Sequence, residues 1–203
     1  MRQHIKYYFS KNSIEYIKVF GIFVIGIIIS VFIVNAANES QKKEVKTYID
    51  EQIENVRVME NNNNNEIFLN SLKTNIKECV ILGLLASTII GMPIAYFLVC
   101  RKGFSIGYTI ASIYATQNTK TAMIFICNSM VFHNIIYMIS MFIILVSGNN
   151  LMKALFRKEK ENVKFEIVRY IIFFIIALFI AIISSIWEAY ISTNFMYFFK
   201  KYL

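Results

Sequence analysis

Few residues of this chain could take part in chemistry, and the most suggestive group lies inside an apolar segment. Within residues 121–147 stand a histidine and its polar neighbours, a candidate intramembrane polar cluster at Asn128, Ser129, His133 and Asn134. Lipid would offer such groups no partner, so they must face protein or water. The imidazole and the amides could bind an ion or shuttle a proton, or they could make neutral hydrogen bonds between helices. No carboxylate accompanies them within the segment, so both interpretations stay open.

The sequence patterns typical of enzymes and metal sites are absent. There is no GxxxxGK[ST] phosphate loop, no HExxH and no GxSxG. The three cysteines, Cys79, Cys100 and Cys127, stand in apolar surroundings without CxxC spacing, which supports neither a disulfide framework nor a metal site. The second of the two histidines, His4, lies in the basic amino-terminal segment. We therefore predict no catalytic, cofactor-binding or metal-binding residues, and no enzyme activity.

Apolar segments long enough to cross a membrane position these residues. The chain has 203 residues, of which 57% are hydrophobic and only 17% are charged, unlike an ordinary soluble domain. A lipid-spanning helix needs about 20 mostly apolar residues. Four segments qualify and a shorter fifth is a candidate, which gives predicted spans at 19–37, 79–100, 103–117, 121–147 and 170–191. The predicted fold is all-α, a single integral membrane domain with about five transmembrane helices.

The first segment has an alternative interpretation as a secretory signal. Basic residues precede it, and Val34-Asn35-Ala36 resembles a small-residue cleavage site. Its apolar core is longer than the roughly 7 to 15 residues of a usual signal, which favours a span.

The distribution of charge predicts the orientation. With the amino terminus in the cytoplasm, the inside segments 1–18, 101–102 and 148–169 contain 12 Lys and Arg residues against 4 acidic residues, whereas the outside segments contain 9 against 9. This difference accounts for the whole formal charge of +8, so nucleic-acid binding is not needed to explain it. Five spans place the carboxyl terminus outside. They also predict that Arg101 and Lys102 lie in a tight cytoplasmic hairpin.

Two predicted spans carry matched rows of small residues. The rows are Gly83, Ser87, Gly91 and Ala95 on the second span, and Gly103, Gly107, Ala111 and Ala115 on the third. Residues four apart share a helix face, so we expect these two helices to pack closely on each other. Pro93 predicts a kink near residues 89–93. Ordinary helix packing and a gate or substrate groove are the two interpretations of this arrangement.

The hydrophilic segment 38–78 is the predicted extracytoplasmic loop. An amphipathic helix is expected at about 39–58, with an apolar stripe at Val45, Ile49, Ile53 and Val56. An asparagine tract at 61–65 interrupts it, and residues 66–77 resume the helical period as a segment expected along the membrane surface. The stripe is a candidate partner surface, and a solvated cover over the bundle is the alternative.

A carboxylate stands near the outer end of the last span. Glu188 lies in WEAYIS (187–192), where Trp187, Tyr190 and Tyr197 fit an interfacial aromatic belt. Glu188 and Tyr190 are candidate outer-face contacts, because the carboxylate could accept hydrogen bonds at the interface or contact the predicted hairpin.

Three motifs resemble the stage II sporulation protein M family. They are Gly91-Met92-Pro93, Lys102-Gly103 followed by Ile106-Gly107-Tyr108-Thr109, and Glu188-Ala189-Tyr190-Ile191-Ser192. The resemblance covers nearly the whole chain and implies a multi-pass protein of the mother-cell membrane, needed when that membrane migrates around the forespore. It implies a non-enzymatic scaffold that localises two membrane-anchored peptidoglycan hydrolases, the stage II sporulation proteins D and P, at the septum.

One departure from the pattern of broader relatives bears on a second hypothesis. Those relatives often show Pro-His-Gly followed by Glu in the fourth span, whereas here Phe132 precedes His133, Asn134 follows it and Tyr137 replaces the acid. Transport chemistry inferred from them is therefore in doubt. The alternative function is a permease-like subunit that moves a small or lipidic substrate. For either function the expected surroundings are the lipid bilayer, without nucleic acid, and a homo-oligomer is possible.

Overall fold

The computed structural model describes residues 12–58, 64–126, 132–157 and 160–195, and every element within them is helical. The predicted all-α fold is confirmed. The helices are α1 (Ser13–Ala36), α2 (Glu39–Val58), α3 (Asn64–Ala86), α4 (Gly91–Thr116), α5 (Thr119–Ile126), α6 (Phe132–Arg157) and α7 (Lys160–Ile186), and α7 continues into a π-helical turn, Trp187–Ser192.

Three of the described helices are long and apolar enough to cross a membrane. They are Ser13–Ala36, Phe132–Phe156 and Val163–Phe195. Large apolar side chains such as Phe32 and Phe179 point away from the bundle on these helices, a pattern that suits lipid and not water. The membrane character predicted from composition is therefore confirmed.

Five helices run the length of one bundle, and their contacts define its two ends. At the near end, where α1 begins, the Asn149 amide of α6 donates a hydrogen bond to Glu15 of α1 at 2.6 Å. At the far end, where α1 finishes at Ala36, Glu188 lies against α3. α1 and α4 therefore run from the near end to the far end, α3 and α6 run back, and α7 runs out again.

The turn between α3 and α4 lies at residues 87–90, so the predicted hairpin at Arg101 and Lys102 is wrong. α4 is continuous from Gly91 to Thr116, and the predicted spans 79–100 and 103–117 have wrong boundaries. Pro93 causes no kink, because it stands in the first turn of α4, where the missing N–H would have had no intrahelical partner. The two cations thus lie within a helix.

The small residues of α4 pack against α1 and not against the preceding helix. Gly103 lies against the backbone carbonyl of Phe23, and Gly107 lies against Ser30. On the other side of this contact, Gly26 of α1 meets the α4 backbone at Cys100. A side chain at Gly103 or Gly26 would overlap backbone atoms of the other helix. Close packing at this row was expected, but its predicted partner was wrong. Ala111 continues the row and is half-buried.

The row of small residues on α3 does not form one groove. Gly83 faces α7, where the Phe174 ring fills the space beside it. The hydroxyl of Tyr170 donates a hydrogen bond to the Gly83 carbonyl at 2.5 Å. Ser87 lies in the turn, where its hydroxyl donates to the Leu84 carbonyl at 2.8 Å, and Gly91 starts the next helix. The regular spacing in the sequence therefore crosses a helix boundary, which is why it gave the wrong helix pair.

The described parts of the fourth predicted span, 121–147, are helical and belong to α5 and α6. Within the described residues, the apolar helix of this region that is long enough to cross a membrane is Phe132–Phe156, which extends beyond the predicted end at 147. α6 and α7 form an antiparallel pair, in which the Ser184 hydroxyl donates to the His133 carbonyl at 2.8 Å. Asn128 and Ser129 lie outside the described residues.

The amphipathic helix α2 lies over the far ends of α1 and α4. Ile49 is buried, and Val45 lines a cavity of about 280 Å³ between these helices. The amide of Gln117, after α4, donates to Asp50 of α2 at 2.6 Å. Ile49 is thus covered by the bundle and not free as a partner surface, while the side chains of Ile53 and Val56 lie outside the described ones.

The segment predicted to lie along the membrane surface, 66–77, forms the first half of α3 instead. It packs against the end of α7, where the Asn75 amide donates to the Ser185 hydroxyl at 2.9 Å. This polar contact explains the difference, because it gives a hydrophilic segment partners inside the bundle.

Candidate functional site

His133 and Asn134 lie on α6, on the side of Tyr137 toward the far end of the bundle. α7 lies beside them, where the Ser184 hydroxyl donates to the His133 carbonyl. The Asn134 amide nitrogen is 3.0 Å from His133 Nε2, and this ring nitrogen is 4.0 Å from Glu188 Oε2. A carboxylate does accompany the imidazole, therefore, but it comes from α7. The mid-span position of the whole cluster stays a prediction, since Asn128 and Ser129 lie outside the described residues.

Glu188 and Tyr190 join α7 to α3. The Ser71 hydroxyl donates to Glu188 Oε2 at 2.5 Å, and the Tyr190 hydroxyl donates to Asn65 Oδ1 at 2.8 Å. Both acceptor and donor stand on the π-helical turn, which widens the helix at this point. We call Glu188, Tyr190 and His133 the far cluster.

A second polar cluster lies in the middle of the bundle around Glu78 of α3. Glu78 Oε2 is 3.2 Å from Lys102 Nζ, and Glu78 Oε1 is 3.8 Å from Arg101 Nη2. The Tyr137 hydroxyl donates to Glu78 Oε2 at 3.0 Å, and Lys102 Nζ lies 4.7 Å from the centre of the Tyr137 ring. We call Glu78, Arg101, Lys102 and Tyr137 the central cluster. It joins α3, α4 and α6.

The thiol beside the central cluster, that of Cys79, is not placed for a reaction. Cys79 is fully buried, and its Sγ is 3.9 Å from the Tyr137 hydroxyl and 3.7 Å from Ser140 Oγ. A reactive cysteine needs an accessible thiolate, which this burial opposes. Within the described part of the chain, no group of three His, Cys, Asp or Glu side chains is placed to hold a metal ion.

A third group, the near cluster, joins α1 to α6. Glu15 is almost completely buried and accepts from Lys153 Nζ at 2.6 Å and from the Asn149 amide at 2.6 Å. Lys18 Nζ lies 3.3 Å from the same carboxylate. Two cations therefore share one acid here, as they do in the central cluster, but Glu15 is more buried than Glu78.

An apolar layer separates the central cluster from the near cluster. Leu82 of α3, Val99 of α4 and Ile144 of α6 each have no exposed surface and belong to one packed core. Ile144 stands between Tyr137 and Asn149 along α6, while Leu82 and Val99 lie on the near-end side of Glu78 and Arg101 along α3 and α4. These three apolar side chains thus lie between the depths of the two clusters.

Sequence reasoning missed Glu78 because it assigned Arg101 and Lys102 to a loop. One signal could have found it. Glu78 and the two cations are opposite charges that border or interrupt apolar segments, and charges in lipid pair with one another.

The sequence matches the model of a known protein family. The family model described as Stage II sporulation protein M matches residues 19–193. The chain belongs to the stage II sporulation protein M family. The resemblance seen in the three motifs is confirmed, and the match contains the central and far clusters but not Glu15. Neither the curated proteins nor the solved structures include a match to this chain. Membership of the stage II sporulation protein M family, together with the apolar helices, indicates a sporulation-related membrane protein.

Proposed function

We propose that this protein is a non-enzymatic membrane scaffold for forespore engulfment, which localises the stage II sporulation proteins D and P at the septal membrane. The observation that carries the proposal is the family match over residues 19–193. The three polar clusters agree with it, because each joins different helices and none pairs an accessible nucleophile with a base.

The proposal includes five membrane crossings, made by α1, α3, α4, α6 and α7. Arg101 and Lys102 no longer count as cytoplasmic, yet segments 1–18 and 148–169 still contain 10 Lys and Arg residues against 4 acidic residues. The described parts of both segments lie at the near end, so the positive-inside rule favours a cytoplasmic position for that end. The far end, with α2 and the end of α7, then faces the wall on which the hydrolases act.

Within this orientation, the exposed face of α2 is the proposed contact for the hydrolases. Val45 and Ile49 turn toward the bundle, while Lys46, Tyr48 and Glu51 are exposed on the helix. Tyrosine is enriched at protein interfaces because its ring adds contact area and its hydroxyl adds a hydrogen bond. Tyr48 is therefore the side chain to test.

The test is co-purification of both hydrolases with the full-length protein from sporulating cells, followed by septal localisation of each hydrolase. We expect Tyr48→Ala to reduce recovery of both by about tenfold or less, the range for a single interface side chain. Phe32→Ala, on the exposed face of α1, is the matched control and should leave recovery unchanged. Full recovery with Tyr48→Ala would exclude α2 as the main contact.

A permease-like subunit remains the second candidate, favoured by the polar clusters at three depths. The apolar layer of Leu82, Val99 and Ile144 weighs against a continuous polar path. The same purification separates the two functions. If neither hydrolase is recovered while a soluble nucleotide-hydrolysing protein is, the permease-like function replaces the scaffold.

A further inference from the structure

We propose that the outer face of the α3–α4 pair binds a transmembrane helix of a partner protein, one that carries an Asp or Glu near its middle. The inference rests on the membrane crossing of α3 and α4 that the proposed function includes. It names a docking face inside the membrane, separate from α2. The central observation is the position and exposure of Arg101.

Arg101 lies near the middle of α4, away from both ends of the bundle. Gly91 begins α4 ten residues before it and Thr116 ends α4 fifteen residues after it, which is about 15 Å and 22 Å along the helix. Its neighbour Gly103 packs against Phe23, within the apolar stretch of α1. In the proposed topology, Arg101 thus starts from a position inside a hydrocarbon core about 30 Å thick and not from one of its surfaces.

The central cluster leaves one positive charge unbalanced at this depth. Glu78 is a single carboxylate shared by two cations. Lys102 is the closer of the two at 3.2 Å, is 22% exposed and also lies against the Tyr137 ring. Arg101 is farther away at 3.8 Å, and its side chain is 60% exposed. Arg101 is thus the cation that faces outward, where lipid would make its charge costly.

The surface around Arg101 has the form of a helix-binding ridge. Ile94, Phe97 and Ser105 are exposed on the same side of α4, and with Arg101 they are spaced three or four residues apart. Phe97 is 65% exposed, and Leu84, which is 68% exposed, stands on the outer side of α3. The face is thus apolar toward the near end, charged at its centre and hydroxylic beyond it, and we call it the α4 ridge.

The occupant must supply the carboxylate, and a second copy of this chain cannot. Among the acidic residues that the structure describes, only Glu78 lies at the middle of a helix of the proposed crossing, and both of its oxygens are already engaged. Glu15 and Glu188 lie at opposite ends and are bonded there. A partner helix with one acidic residue at mid-span complements the α4 ridge, because its carboxylate would pair with Arg101 while apolar residues on either side cover Phe97 and Ile94.

The test uses full-length protein in phosphatidylcholine vesicles and a synthetic membrane helix as the probe. The probe is a leucine-based helix of 21 residues with one Glu at its centre, and the comparison helix has Gln there. A photoreactive benzoylphenylalanine replaces Phe97, and the yield of cross-linked helix is measured as the helix concentration increases. Placed at Phe32 on the exposed face of α1, the same photoreactive group is the matched control.

We expect the Glu helix to bind at Phe97 about 3- to 30-fold more tightly than the Gln helix, the range for polar contacts between membrane helices. The preference should vanish in Arg101→Gln, persist in Arg101→Lys and be absent at Phe32. Equal binding of the two helices to the unsubstituted protein would overturn the inference without any need for the Arg101 variants. Cross-linking between two copies of the chain in place of the helix would also overturn it, in favour of a homo-oligomer.

The remaining possible result is that water, and not a partner helix, covers the α4 ridge. Thiol labelling measures this. If a cysteine at Ser105 reacts with an impermeant reagent as fast as one at the exposed Lys46, water covers the ridge and the docking proposal fails. Hydrolase co-purification keeps this result separate from the proposed function. Recovery of both hydrolases without Glu-helix binding would reject only the docking face, and the opposite result would reject only the scaffold.

Discussion

At the residue scale, one carboxylate explains why Arg101 and Lys102 can lie within a helix. Glu78 contacts both cations and also accepts a hydrogen bond from Tyr137, so three helices depend on the same side chain. Removing one partner of an enclosed ion pair leaves the other charge without compensation, whereas removing both can be nearly neutral. We therefore predict that a single substitution in the central cluster lowers stability and that a second substitution restores part of it.

We expect Glu78→Gln to lower the free energy of unfolding by about 1 to 3 kcal/mol, because Lys102 and Arg101 both lose their carboxylate partner. The double variant Glu78→Gln with Lys102→Met should recover part of this loss, since the less exposed cation is removed while Arg101 stays without a carboxylate. The measurement is thermal unfolding of the purified protein in detergent. A double variant as unstable as Glu78→Gln alone would show that the pair does not account for the effect.

At the element scale, the fold depends on how closely α1 and α4 approach. Gly103 and Gly26 let the two backbones meet, and lipid provides no net apolar drive that could replace those contacts. The same helix pair forms the cavity beneath α2. A change at this contact should thus affect the whole α1–α4 side of the bundle.

Gly103→Ala should destabilise the protein by about 1 to 3 kcal/mol, because the new methyl group would overlap the Phe23 carbonyl. Gly21→Ala is the matched control, since nothing lies within 4 Å of its added Cβ. The control should be neutral or stabilising by up to about 1 kcal/mol through helix propensity. Thermal unfolding and protein level in the membrane measure both variants, and equal stability of the two would contradict the close contact.

At the scale of the whole molecule, the order of helices sets which surfaces lie at the same end of the bundle. α2 and the far cluster lie at one end, and the near cluster lies at the other with the junction of α6 and α7. The five crossings of the proposed topology would put the two ends of the bundle on opposite sides of the membrane, with the basic near end in the cytoplasm.

Single cysteines at two exposed positions test this orientation after the three native cysteines are replaced. A cysteine at Lys46 in α2 should react with an impermeant thiol reagent in intact cells. A cysteine at Lys164, near the start of α7, should react only after the membrane is permeabilised. Labelling at 164 but not at 46 in intact cells would reverse the proposed topology.

The sequence by itself determined that the chain is helical, membrane-embedded and a member of its family. Long apolar runs allow few other structures, because a backbone in lipid must satisfy its own hydrogen bonds, and the matched motifs extend over most of the chain. The helix boundaries could not be predicted as well from the sequence. Arg101 and Lys102 read as a loop because no nearby residue in the sequence balances them.

Tertiary structure alone decided which helices meet and at what depth. A row of small residues shows which face packs but not which helix it packs against, so Gly103 was assigned to the wrong neighbour. Likewise, His133 has no acid in its own helix, and its approach to Glu188 depends on the pairing of α6 with α7. The physical reason is that lipid solvates every apolar helix face about equally well, so apolar surface alone does not favour one helix pair over another. Helix pairing is then selected by shape and by a few polar contacts between residues distant in the sequence, such as Glu78 and Lys102.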